Sequence, residues 1–359
     1  MKTSELDYNL PSELVATAPA EPRDSARLLL LDKLSGELTD SYFSELIGLL
    51  GSNDVLVLNN SKVIPARLFG NVVGNVRSHE VLLVKNEKGA IWECWIRNGR
   101  KLKVGETLIF GNKLSAEYIR REEDIFFLEF SKSGSDLYAA LHQIGEMPIP
   151  PYILKARGEK HDEPIDNEEY QTVYAKTEGS VAAPTAGLHF TDELLANLSK
   201  KGVQIEYITL HVGLGTFQPV ESENIEDFRI HSEYYEVTPE VATRLNLAKM
   251  SGKRIVAVGT TTVRVLESAA TKTDACGIQN PGGIRFALLP KSGETSIYIY
   301  PGYEYKFVDA MITNFHLPKS SLLLLVSAFA GTENIREAYN HAIERKYRFY
   351  SYGDAMLIG

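Results

Sequence analysis

Hydrophobic and polar positions alternate in short runs within residues 68 to 130, at Glu80 to Val84, Ile91 to Ile96, Thr107 to Phe110, Ala116 to Ile119 and Ile125 to Phe130. A period of two puts alternate side chains on opposite faces of a strand, so these runs predict a small antiparallel barrel or sandwich. The links Asn86 to Gly89, Asn98 to Lys101 and Gly111 to Lys113 are short and polar, as turns between strands require. A helix is expected over Ser135 to Ile144. The segment Gly145 to Tyr152 then carries Pro148, Pro150 and Pro151, whose fixed φ favours an extended, stiff connection and a domain boundary.

On either side the pattern changes to apolar runs alternating with helical stretches, the signature of α/β architecture. Tyr42 to Leu50 reads as a helix ended by Gly51, and Asp54 to Leu58 as a buried strand entering the polar loop Asn59 to Lys62. Thr191 suits the N-cap of a helix running to Lys201, followed by a strand from Val203 to Leu210. Thr238 and Pro239 start another helix, Gly252 ends it, and the strand Ile255 to Val258 follows. Gly259-Thr260-Thr261-Thr262 then leads into a helix from about Val263. Because the alternating segment interrupts this pattern, the fold class expected is α/β: a discontinuous mixed α/β large domain, residues 1–67 and 152–359, with an inserted small antiparallel β-barrel domain at 68–151. In open α/β sheets ligands bind beyond the carboxyl ends of the strands. The loops after those strands, with Pro184 to His189, are therefore expected to line one cleft.

Composition narrows the partners. The 359 residues are 44% hydrophobic and 24% charged, with 38 Lys and Arg against 47 Asp and Glu, a net charge of −9. That excludes an indiscriminate polycation, so a nucleic-acid partner requires a local basic face. Two clusters qualify, Arg97 to Lys103 and Arg345 to Arg348, although such runs are usually solvated faces. Cys94 and Cys276 are far apart and neither has a neighbouring Cys, which excludes a disulfide scaffold and a Cys-type zinc site. The acidic start Met1 to Asp7 does not read as a secretory signal. The apolar run Leu322 to Ala330 falls well short of the roughly 20 residues a membrane helix needs. A cytoplasmic location with no membrane contact is expected.

The candidate chemistry sits next to the strand ends. Gly213-Leu214-Gly215 lacks the third glycine of a dinucleotide loop, and no phosphate loop, zincin motif or nucleophile elbow is present. What remains is a concentration of His, Asn, Thr and Gly around His189, His211, His231 and His316. Histidine exchanges protons near neutrality, so several converging on one cleft suit acid/base work, while any one alone is more often a structural hydrogen-bonder. Gly259 and Thr260 either present N–H groups to an anion at a helix start or simply cap that helix. Arg23-Asp24-Ser25-Ala26-Arg27 is either an anion clamp or a solvated turn. Two other functional classes remain in play: an NAD(P)-dependent oxidoreductase using the Gly213 loop, and a non-catalytic RNA-binding module.

Arg23 to Leu28, Leu58 to Leu68, Ala182 to Phe190, Leu210 to Pro219, His231 to Tyr235, Gly259 to Ser268, Thr313 to Gly331 and Tyr347 to Leu357 together resemble the S-adenosylmethionine:tRNA ribosyltransferase-isomerase family, in the right order over nearly the whole chain. The resemblance implies a queuosine-biosynthesis enzyme acting on tRNA that bears 7-aminomethyl-7-deazaguanine at the wobble position. S-adenosylmethionine would donate its ribosyl group, giving epoxyqueuosine-tRNA, adenine and methionine. It would be consumed as a substrate, so no metal or redox cofactor is expected, and a monomer is expected. His189, His211, His231 and His316 would then supply proton transfer and orientation. Arg23, Asp24, Arg27, Asn59, Asn60, Lys62, Arg67, Thr185, Gly187, Gly213, Gly215, Gly259, Thr260, Arg264 and Asn314 would shape substrate binding.

Overall fold

A computed structural model describes residues 1–75, 77–159, 161–213, 220, 222–274 and 283–359. In chain order, β1 (Arg27–Leu31), β2 (Leu38–Tyr42) and β3 (Asp54–Asn59) precede β4 (Arg67–Val72), β5 (Ser78–Lys88), β6 (Ile91–Ile96), β7 (Thr107–Phe110), β8 (Leu114–Glu122) and β9 (Ile125–Phe130). Later come β10 (Gln204–Leu210), β11 (Glu233–Val237), β12 (Arg254–Val258), β13 (Lys291–Thr295), β14 (Ala310–Asn314) and β15 (Ala355–Ile358). Met1–Ser61, Thr172–Thr177 and Pro184–Gly359 form one compact unit; Lys62–Gln171 and Glu178–Ala183 form a second.

Among the described residues the first unit holds a nine-stranded sheet in the order β13-β11-β10-β3-β12-β14-β15-β1-β2. Strands β10, β3, β12 and β14 run parallel. Such strands are covered on both faces, and every residue of β3 and β14 is buried. Leu56, Leu58, Val256, Val258 and Ile312 pack there with Leu194 and Leu198 of the helix Asp192–Lys200 and with Phe43 and Phe190. The outer strand β2 is largely exposed and polar, as the edge of a sheet requires.

The second unit contains a closed antiparallel barrel, β9-β6-β5-β4-β7-β8. Most of its strands alternate as expected: Val81, Leu83, Trp92, Cys94, Leu108 and Phe110 are buried and the positions between them are not, whereas β9 buries Phe126, Phe127 and Leu128 in succession where its pairing with β8 shifts register. The alternation missed β4, whose Gly70 breaks the apolar run. A Cβ at Gly70 would stand 2.6 Å from the Phe110 ring, so the barrel's packing demands the missing side chain.

The helices bear out most capping signals. α1 (Gly134–Ile144) follows the barrel, and α2 (Asp192–Lys200) begins where Thr191 Oγ1 accepts from Leu194 N–H at 3.1 Å. α3 (Pro239–Met250) starts at the Thr238 cap, and α4 spans Thr260–Ala269. Three expectations need correction. Tyr42 to Leu50 is a 3-10 turn and a four-residue helix rather than one helix. Pro151 opens a short helix, Pro151–Arg157, instead of prolonging an extended connection, because proline's φ also fits a first helical turn. Thr260 to Thr262 are the first turn of α4 and not a loop, since Gly259 at φ +84° makes the change of direction alone.

Candidate active site

The register sets the polar residues along one edge of the sheet. Asn59 ends β3, Leu210 ends β10, Gly259 follows β12 and Asn314 ends β14. Asn314 pairs with Ala355 at the start of antiparallel β15, and Ala355 pairs with Leu28, so Asp354 and Arg27 fall on the same edge.

Thr185, Asn314 and His189 form a connected group. The Thr185 hydroxyl donates to Asn314 Oδ1 at 3.0 Å, and Asn314 Nδ2 lies 3.2 Å from His189 Nε2. Both Thr185 and His189 belong to the 3-10 turn Thr185–His189. His189 is buried beside Phe43, with ring centroids 4.9 Å apart. That burial lowers its pKa to about 4; Asp354 opposes the shift, while Arg348 and Arg23 add to it. Burial likewise lowers His316 to about 3 and His211 to about 4. All three imidazoles are therefore neutral at pH 7, each with one donor and one acceptor nitrogen.

His316 Nε2 lies 2.8 Å from Thr313 Oγ1, and its backbone is held by Tyr339, whose hydroxyl accepts the His316 N–H at 2.8 Å, and by Tyr8, whose hydroxyl donates to the carbonyl. His211 stacks on Tyr234 with centroids 5.7 Å apart, and its buried Nδ1 has no hydrogen-bond partner among the described residues. His231 is exposed.

Several candidates are committed to holding the edge. Asn59 Nδ2 donates to the Leu210 carbonyl at 3.0 Å, while its Oδ1 accepts from Leu210 and Ser61 N–H, so the amide latches β3 to β10. Asn60 Oδ1 accepts from the Thr209 hydroxyl at 2.8 Å. Arg27 binds Asp354 through its backbone N–H at 3.1 Å and Nε at 3.2 Å, and its guanidinium lies 4.2 Å from the Tyr347 ring centre. Asp24 accepts from the Thr191 hydroxyl at 3.4 Å. Thr260 is buried in the first turn of α4, and a Cβ on Gly259 would lie 3.8 Å from Ala186 Cβ, which brings this helix start against the Thr185–His189 turn.

A second buried group joins Arg264 and Gly213. Glu233 pairs with Arg264 Nη1, and its Oε1 accepts the Gly213 N–H at 2.8 Å. Both side chains of the ion pair are nearly inaccessible, and among the described residues Arg264 Nε has no partner. Gly215 lies outside the described residues. Lys62 and Arg67 belong to the second unit, where Lys62 pairs with Glu178 at 3.1 Å and Arg67 with Glu80 at 2.7 Å.

Sequence reading missed Asp354, Glu233 and Thr313. Asp354 stands immediately before the apolar strand β15, and a lone carboxylate there was the available signal; Glu233 opens a strand that carries a second acid, Glu236, and gave no such signal. The basic clusters also change meaning: Arg97 pairs with Glu80 and Arg100 with Asp124, each at 3.4 Å, and Arg348 with Asp354 at 3.5 Å. Among the described residues no group of three or more His, Cys, Asp or Glu is arranged to hold a metal, and no helix is long and apolar enough to cross a membrane.

A family model described as queuosine biosynthesis protein matches residues 3–358. The chain is 47% identical over 360 residues to a protein of Halothermothrix orenii named S-adenosylmethionine:tRNA ribosyltransferase-isomerase, with complete coverage of both. The crystal structure of an S-adenosylmethionine tRNA ribosyltransferase from Thermotoga maritima matches with 38% identity and a TM-score of 0.52, over 99% of this chain and 100% of that one.

Proposed function

The chain belongs to the S-adenosylmethionine:tRNA ribosyltransferase-isomerase family of queuosine biosynthesis, and on that premise we propose that it moves the ribosyl group of S-adenosylmethionine onto the 7-aminomethyl-7-deazaguanine wobble base of tRNA. It is an enzyme of the transferase class. The products are epoxyqueuosine-tRNA, adenine and methionine, S-adenosylmethionine is consumed rather than retained, and the reaction takes place in the cytoplasm.

The sulfonium acidifies the ribose 5′-carbon, a base takes a proton there, and adenine leaves. The tRNA amine then attacks the anomeric carbon, and epoxide closure expels methionine. The observation that carries the site assignment is a set of neutral imidazoles, His189, His211 and His316, at one edge of the sheet. A neutral imidazole accepts a proton from carbon, whereas an imidazolium beside a sulfonium would repel it. His211 is the proposed base because its Nδ1 is uncommitted, whereas His189 and His316 use Nε2 in hydrogen bonds to Asn314 and Thr313. Those two orient the substrate, and Gly259 with Thr260 presents the start of α4 to it.

The test incubates the protein with S-adenosylmethionine and tRNA carrying the precursor base. Adenine, methionine and a mass gain on the wobble base are expected together; adenine release without base modification would reduce the reading to hydrolysis.

A further inference from the structure

We propose that the Tyr174 hydroxyl, with that of Thr172 beside it, binds the ribosyl hydroxyls of S-adenosylmethionine at the Thr185–His189 turn. This rests on the ribosyl-transfer reading above. Tyr174 Oη and Thr172 Oγ1 are both sealed from solvent, and among the described residues neither has a hydrogen-bond partner. Buried hydroxyls are nearly always paired, so two adjacent orphans call for a partner that arrives with a ligand.

Both residues meet one backbone position, Tyr174 with its hydroxyl and Thr172 with its methyl. A Cβ on Gly187 would stand 1.9 Å from Tyr174 Oη and 2.9 Å from Thr172 Cγ2, so only glycine lets this turn approach them. Thr185 and His189, on either side of Gly187, are both tied to Asn314. The hydroxyl does not hold Tyr174 in place. Its ring does that, 5.8 Å from Tyr207 and 6.4 Å from Phe190, and the segment is fastened by the N–H groups of Lys176 and Thr177, which donate to the Asn60 carbonyl at 2.8 and 3.1 Å. Burial raises the phenol's pKa, so it remains a donor.

The chemistry of the pair selects the ligand group. Two neutral hydroxyls, each donor and acceptor, complement a vicinal diol, whereas a carboxylate calls for a charged partner. Because Oη is sealed, the ligand reaches it by displacing the Gly187 turn.

Tyr174→Phe removes the hydroxyl and keeps the ring. The full-length variant and wild type are compared by thermal melting, by calorimetric binding of S-adenosylmethionine and of its 2′-deoxy and 3′-deoxy analogues, and by adenine release with precursor tRNA. The expected result is a melting temperature unchanged or raised, binding of S-adenosylmethionine weakened about tenfold, and one deoxy analogue that wild type disfavours but the variant does not. Unchanged binding overturns the proposal, and so does a fall in melting temperature that accompanies the lost affinity, since that marks a structural hydroxyl. If wild type binds S-adenosylmethionine and the variant shows the expected loss, yet no ribosyl reaches tRNA, the ribosyl-transfer reading fails and the binding assignment stands. A wild type that binds no S-adenosylmethionine overturns both.

Discussion

On the barrel, Arg97, Arg100, Arg120 and Arg121 sit at exposed or half-buried positions and meet Glu80, Asp124, Glu87 and Asp124 near water. On the edge of the nine-stranded sheet, Asn59, His189, Glu233, Arg264, Asn314 and Asp354 are all buried. Ion pairs of the first kind contribute little, because solvent screens them and long side chains lose entropy in forming them. Buried polar groups cost free energy unless they are paired, and among the described residues Tyr174 Oη, His211 Nδ1 and Arg264 Nε are buried with no hydrogen-bond partner. A dense run of charge in sequence marked the first region, and scattered single residues made the second.

The strongest way to break this contrast is Glu233→Ala. It leaves Arg264 buried without its counter-ion and is expected to cost about 3–5 kcal/mol of stability by urea denaturation. A loss no larger than that of an exposed pair would mean that the pair is screened. Next, His211→Ala is expected to lower adenine release at least about 10²-fold with the melting temperature nearly unchanged. Turnover within a factor of two would remove His211 as the base, and unchanged turnover in all of the His189, His211, His231 and His316 alanine variants would remove the histidine assignment altogether.

A pH series sharpens the same contrast. His189 and His316 have folded pKa values near 4 and 3, below the unfolded value of about 6.5, so between these limits the unfolded chain binds more protons. Stability should therefore fall as pH drops below about 6.5, each histidine contributing a slope of up to about 1.4 kcal/mol per pH unit until its folded pKa is reached. Replacing His189 with Gln should flatten that slope, and an identical slope would show the ring to be solvated. The smallest effect belongs to the barrel: Arg97→Ala should leave the melting temperature almost unmoved. If the variant also keeps the salt dependence of tRNA binding, Arg97 makes no phosphate contact; a slope reduced by about 0.7–0.9 would show that it does.

The barrel was readable because period-two alternation is a local property, and β6, β7 and β9 begin and end where the runs do. β4 escaped because Gly70 serves a contact with Phe110, a residue forty positions away. At the sheet edge, Thr191 and Thr238 announced their helices, since a cap needs only the next three residues. Asn59, a candidate binder in sequence, turned out to latch β10, because nothing local says which neighbour its amide will meet. Glu233 and Arg264 stand 31 positions apart and Thr185 and Asn314 stand 129 apart, separations that no periodicity reports.

Local pattern alone therefore determined five of the six barrel strands, the central strands β3, β10 and β12, the Thr191 and Thr238 caps, the α/β class and the interruption of one domain by a barrel, since each follows from propensity and side-chain period. Family resemblance supplied the reaction. The tertiary structure decided which polar residues are spent on the fold and which remain unpaired, because burial and hydrogen-bond partnership depend on register between strands distant in sequence.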